Sequence, residues 1–450
     1  MPESAEHENG TPPREDVLAG PVPDQPRRAP RTSFHRKRDF VAVAVIVIVA
    51  VVGGVLIGSS SDISATTSQT ASGDVEIPDP PSTLPPTFGE AWRAPSAATP
   101  VPAVAGATVV TGEGDEVLGR DALTGQVRWR YARNIPLCTV GVGWQDAIAV
   151  YRRTETLLPD KDSYHGGNCS EVTSLKGTTG ERDHQRNGDA EPGTQLLYDG
   201  NHVTATGKRL INTWRNDMVL TVQYGTVPDP VNPDKQPRTD CEYSSIAVAL
   251  GRVGVIERCR SKTDPRVIEN DRLSVYKSVP KDADTPEVNF SVPTGGNGGR
   301  LVALTENYAA VASPNPDRLQ VFDASGKLAA EYPLTLGATD LAGDPTAETV
   351  PVTKGTAEAL FWFTGTRTIA LSTKDLHPLW TFDDTLGSGA VFAGYLLLPV
   401  KDGLAVVDQI AGKQVVKAPV NRGDYTGPVE MSTVGPMVLE QRGPTLVALR

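Results

Sequence analysis

Few residues in this chain have the type and spacing that chemistry requires. Cys138, Cys169, Cys241 and Cys259 are far apart, and no two form a CxxC pair. A zinc site needs clustered Cys and His, and the six histidines cluster nowhere. Sparse cysteines, even in number, fit two structural disulfides in an oxidising compartment. Asp160, Asp162 and His165 carry cation-binding atoms but lack ligand-loop spacing, so they read as solvated surface. The glycine run Gly295–Gly299 suggests a phosphate cradle, yet it precedes a strand-like segment. Without a following helix N-terminus it is better read as a connector. No GxSxG, P-loop or HExxH pattern occurs. The expectation is a chain with no catalytic residue, no bound metal and no cofactor.

The elements that position these residues are short strands. Val117–Tyr131 (VLGRDALTGQVRWRY) reads as a strand, a tight turn carrying Asp121, Thr124 and Gly125, and a second strand holding Trp129. Asp bonds nearby backbone amides in such a turn, and Gly takes a positive φ without a steric cost. Trp129 offers apolar area on which a neighbouring sheet can pack. Degenerate copies follow at Thr173–His184, Arg318–Tyr332, Thr368–Phe382 and Gly403–Lys417. Upstream of the turn motifs lies a second hairpin pattern, at Pro102–Gly112, Gln195–Gly207, Ile246–Glu257, Leu301–Ser313, Ala390–Val400 and Met431–Arg442. Joined, the hairpins make four-stranded units starting near residues 100, 137, 194, 243, 299, 338, 389 and 428. A repeat of this kind predicts an all-β, eight-bladed β-propeller. The last unit supplies three strands, and Thr87–Ala94 with Trp92 is the natural fourth, closing the ring.

Unit phasing also bears on the cysteines. Four cysteines allow three pairings. Cys138 and Cys169 fall in the second unit on either side of the insertion Arg152–Asn168, and Cys241 and Cys259 flank the first hairpin of the fourth. The phasing therefore predicts Cys138–Cys169 and Cys241–Cys259, each pinning a long loop.

The N-terminal part is different in kind. Residues 1–39 are rich in Pro, Glu and Arg, too polar to offset ordering entropy, and are expected to be disordered. Residues 40–58 open with eighteen uncharged residues, Phe40–Ile57, long enough to cross a hydrocarbon core. The basic residues Arg27, Arg28, Arg31, Arg36, Lys37 and Arg38 precede them and predict a cytoplasmic N-terminus. The long polar tail and long apolar run favour an uncleaved anchor over a signal peptide. Residues 59–87, rich in Ser, Thr and Pro, read as a flexible tether to a domain at 88–450. A net charge of −11 argues against general nucleic-acid binding.

The segment DALTGQVRW, with Asp121, Thr124, Gly125 and Trp129, resembles the repeat of the pyrroloquinoline-quinone-like propeller superfamily. The later copies keep fragments, such as Asp323 with Gly326, or Trp380, and look too worn for regular tryptophan docking. The whole layout is similar to uncharacterised membrane-anchored envelope propellers of actinobacteria. The resemblance implies a propeller over roughly residues 88–450 but no particular activity. Quinoprotein dehydrogenases of the superfamily use adjacent cysteines over the quinone and a calcium held by Glu and Asn; here no two cysteines adjoin, and no matching calcium set is found. No residue carries over to catalysis. The expected role is a non-catalytic binding or scaffolding module that docks a cell-envelope protein or glycan, by analogy with a propeller lipoprotein that assists outer-membrane protein assembly. A degenerate quinoprotein oxidoreductase and a small-ligand sensor are the alternatives.

Overall fold

The computed structural model describes residues 37–59, 64–73, 75–152, 169–227, 234–261, 263–264, 266–341, 349–350, 352–355 and 359–450. The chain divides into two compact units, Met1–Ser64 and Ala65–Arg450.

In the first unit, Lys37–Ser59 form a single α-helix, α1, with Asp39 in its first turn, where a negative charge suits the helix N-terminus. It is long and apolar enough to cross a membrane. The run is rich in Val and Ile, which alone favour strands. A helix satisfies every backbone group within the segment, which is what an apolar surrounding demands. The expected disordered tail lies almost wholly outside the described residues.

The second unit is built from eight antiparallel sheets. Strands are lettered a to d in chain order within each blade. Blade 1 runs from Ala103–Ala105 (a) through Thr108–Glu113 and Glu116–Asp121 to Val127–Ala132 (d). Blade 2 runs from Leu137–Gly143 to Arg182–Ala190, blade 3 from Leu196–Tyr198 to Leu220–Gly225, and blade 4 from Cys241–Ala249 to Val288–Pro293. Blade 5 spans Arg300–Leu304 to Leu328–Pro333, blade 6 Val352–Lys354 to Pro378–Asp383, and blade 7 Ala390–Phe392 to Gln414–Pro419. Most a strands adjoin the a strand of the next blade, so they surround the axis. The d strands form the rim, and in blade 6 the d strand alternates half-buried with exposed residues. Between blades the apolar faces interleave: Ile148, Val150 and Val172 of blade 2 meet Val203, Ala205 and Trp214 of blade 3. Sheets covered on both faces explain why the b and c strands are nearly continuous apolar runs.

Blade 8 closes the ring. Val429–Val434, Met437–Arg442 and Thr445–Leu449 are its a, b and c strands, and Glu90–Pro95 is its d strand. Trp92 pairs with Ala448 and Ala94 with Leu446. Gly89 and Arg450 exchange two backbone hydrogen bonds of 2.9 Å, tying the two ends of the ring together.

Two expectations need correction. The sixth unit does not start near 338: its first strand is Val352–Lys354. The residues expected to start it belong to the connector, where Leu334, Leu336 and Leu341 pack on the core of blades 5 and 6. The second concerns the tether at 59–87, much of which lies on the propeller. Thr67–Gln69 add a fifth strand to blade 1. The Ala71 amide donates to the Thr179 carbonyl at 2.9 Å. Ile77 then packs on the cluster joining blades 8 and 1, and Leu84 on that of blades 7 and 8. Isolated apolar residues in a polar stretch hold this strap.

Candidate functional site

The turn residues singled out in the sequence form one structural device. In blade 1 the Asp121 carboxylate accepts from the Thr124 amide at 2.9 Å and the Thr124 hydroxyl at 2.8 Å. The Gly125 amide donates to the Asp121 carbonyl at 2.8 Å, and Gly125 has φ of +72°. A side chain there would also strike the Trp92 ring, 2.6 Å from where a Cβ would sit. Trp92 thus reaches from the d strand of blade 8 onto the turn of blade 1, and its Nε1 donates to the Ala122 carbonyl at 2.9 Å. Trp129 does the same from blade 1 to blade 2, over Gly180, with Nε1 donating to the Gly177 carbonyl at 2.8 Å. Trp380 lies over Gly412 of blade 7 and donates to the Gln409 carbonyl at 3.1 Å. Phe290 covers Gly326 between blades 4 and 5 without the hydrogen bond. Tryptophan docking is therefore retained at three seams, more than the worn repeats suggest. These residues hold the blades together.

The two ends of the ring differ. Strands a to d are antiparallel, so the a–b hairpins and c–d turns share one end of every blade. The b–c loops and blade-to-blade connectors share the other. At the first end most segments are short, such as 106–107, 144–145, 250–251, 393–394 and 435–436, with 278–287 of blade 4 the long exception. At the second end lie the described parts of 226–240, 260–271 and 334–351, of which 228–233, 262, 265, 342–348 and 351 are outside the described residues. The insertion 152–168 links strands b and c of blade 2 in sequence; all but Arg152 is outside the described residues, as are Asp160, Asp162 and His165.

Both disulfides brace this long-loop end. Cys138 bonds Cys169 with Cα atoms 5.9 Å apart, joining strand a of blade 2 to the first residue of strand c, where the insertion returns. Cys241 bonds Cys259, the pairing the unit phasing implies. The second bond does not pin the loop before Cys241: the two cysteines are partners on paired strands, so it staples a hairpin. Glu257 lies close to both sulfurs and completes a Cys–Glu–Cys group. Sulfurs joined to each other are not thiolate ligands, so this group is no metal centre in its oxidised form.

Ion pairs with buried carboxylates seat the connectors at the same end. Arg133, just after the last strand of blade 1, meets Glu171 of blade 2 at 2.9 Å, and both are buried. Arg238 sits 3.2 Å from Glu257, which also accepts from the Tyr224 hydroxyl. Burial pushes the Glu257 carboxyl above its usual range, against the pull of that hydrogen bond. Arg422 donates to Glu440 at 2.7 and 3.0 Å, and Arg442 donates at 2.7 Å to the same carboxylate. The sequence carries no signal for these pairs beyond an Arg near each connector, because their partners are distant in the chain. The glycine run is likewise used internally: the Gly299 amide donates at 2.9 Å to Asp271, whose carboxylate also takes Arg258 at 2.9 Å. A protein carboxylate occupies the place a phosphate would need.

Glu430 is different. It lies on the a strand of blade 8 and is partly exposed, and burial pushes its carboxyl up to about 7.

No family model matches the chain, and no curated protein resembles it in sequence. Among solved structures, it is similar to BamB from Moraxella catarrhalis, at 13% identity and a TM-score of 0.49, covering 81% of this chain and 99% of that one. It is also similar to the computationally designed Ika8 protein, at 12% identity and a TM-score of 0.51, with 81% and 99% covered. At such identities the likeness concerns the fold alone.

Proposed function

We propose that this protein is a membrane-anchored, non-catalytic binding or scaffolding module whose propeller docks a cell-envelope protein or glycan through its long-loop end. The observation that carries the reading is the asymmetry of the ring. Long connectors, both disulfides and three ion-pair groups built on buried carboxylates gather at one end, whereas the chain's own strap crosses turns at the other. Loops held by a rigid scaffold are where binding residues concentrate. Disulfides fit an oxidising compartment, which supports a propeller outside the membrane and a basic tail inside, with α1 as the anchor. Retained tryptophan docking supports the kinship with pyrroloquinoline-quinone-like propellers, while the cysteine arrangement gives no support to quinone chemistry.

The test is affinity capture from the native membrane with the intact protein and with a variant whose residues 153–168 are replaced by a short Gly-Ser linker. Loss of specific envelope partners from a folded variant is expected. An unchanged partner set would remove this loop from the docking face. Quinone and calcium, added together, are expected to leave the melting temperature unchanged and to support no dye-linked oxidation. A thermal shift with turnover would restore the oxidoreductase reading.

A further inference from the structure

We propose that the outer edge of blade 1 is a strand-acceptor site for an extended peptide of about six residues, filled at rest by the chain's own Thr67–Gln69. Among the described residues, blade 1 is the one sheet with five strands. The fifth pairs Thr67 with Ala132, Ser68 with Tyr131 and Gln69 with Arg130. All three of its side chains are exposed, so backbone pairing holds it and the sequence of the occupant matters little.

Two features make the resident displaceable. First, it covers half of the edge. Strand d of blade 1 spans Val127–Ala132, but the chain turns away after Gln69 toward Thr179, so 127–129 have no ladder partner on that side: Arg128 meets the strap only through its guanidinium, which donates to the Gly73 carbonyl at 3.4 Å, and Val127 is 50% exposed. A longer strand would pair along the full edge and make about twice as many ladder bonds. Second, the strap is also held further on, where Ile77 and Leu84 pack on the blade cores. Thr67–Gly73 can therefore lift from the edge while Ile77 and Leu84 stay in place. The Ala132 end of the edge adjoins the connector carrying Arg133, so a peptide paired here would run from the rim toward the long-loop end. The inference does not depend on the docking reading, because its probe is the chain's own sequence.

The probe is a labelled peptide of residues 64–73, read by fluorescence anisotropy against two full-length proteins in detergent. One is the intact protein; the other carries Ser68→Pro and Gln69→Pro. Consecutive prolines remove whichever of the two amides faces the ladder. Saturable binding at least tenfold tighter to the proline variant than to the intact protein is expected, with no binding of a peptide carrying the same prolines. Equal binding to both proteins, or none to a variant with an unchanged melting temperature, would overturn the proposal. If the variant does not fold, hydrogen exchange on the intact protein decides. Amides of 67–69 are expected to exchange at least a hundredfold faster than those of Glu90–Pro95, the rim strand of blade 8. Matching protection would show that the resident strand does not open alone, and the proposal would fall.

Discussion

Replacing Trp92 by Ala attacks the seam where the first strand of the ring meets the last. The indole is 9% exposed, lies on Gly125 and donates to the Ala122 carbonyl. A buried Trp hides about 150–250 Å², which at about 25 cal/mol per Å² is worth about 4–6 kcal/mol. Alanine keeps part of that area, and an extended reference chain overstates the rest, which brings the packing loss to about 3–4 kcal/mol. The lost hydrogen bond adds about 1 kcal/mol. The expected destabilisation is about 4 kcal/mol, by urea denaturation of the propeller. Trp129→Ala, at an interior seam, should cost a similar amount. The two differ in where the ring opens. With Trp92→Ala, amides of Glu90–Pro95 and Thr445–Leu449 should lose protection first; with Trp129→Ala they should not. A Trp92→Ala loss below about 1 kcal/mol, or an unchanged exchange rate at 90–95, would refute the view that this indole clasps the ring.

Glu430→Gln tests the raised carboxyl on strand a of blade 8. Burial raises its folded pKa, so the folded state holds a proton that the unfolded chain has already released. Stability from this group is therefore lost as pH rises from about 4.5 to about 7 and is level above that. The full shift corresponds to about 3 kcal/mol, and partial exposure discounts it, so the Gln variant should gain about 1–2 kcal/mol at pH 8 and nothing at pH 4. Parallel urea curves at both pH values check it, and an equal effect at both would contradict it. Glu440→Ala leaves Arg422 and Arg442 buried without their carboxylate. A loss of about 3–5 kcal/mol is expected by thermal or urea unfolding, and a change within 1 kcal/mol would show the group to be dispensable.

Much of the ring was legible because its signals are local. Turn chemistry around Asp121 and Gly125, a Trp shortly after, and alternating apolar residues sit within fifteen residues of one another. That spacing also placed Glu90–Pro95 on the last blade and set the disulfide pairing. Worn copies hid the extent of docking, because Leu376 takes the turn position of Gly125 with φ of +57°, and Phe290 stands in for a Trp. The strap was missed for a physical reason. Thr67–Gln69 bury no side chain, so pairing leaves no trace in composition, and Ile77 and Leu84 are single contacts without a period. The start of blade 6 was misplaced because the apolar residues Leu334, Leu336 and Leu341 sit in a connector that packs like a strand. The ion pairs at the long-loop end join residues from 2 to 38 positions apart in no regular pattern, and folding alone brings them together.

The docking face is tested most directly by site-specific photo-crosslinking in the native membrane. A crosslinker is placed at exposed positions of either end: Lys235 and Asp424 at the long-loop end, and Leu250 and Ile410 at the short-turn end. Discrete crosslinked partners from Lys235 and Asp424, with none from Leu250 and Ile410, are the expected result. The same partner captured from the short-turn positions alone would contradict the assignment of the binding face.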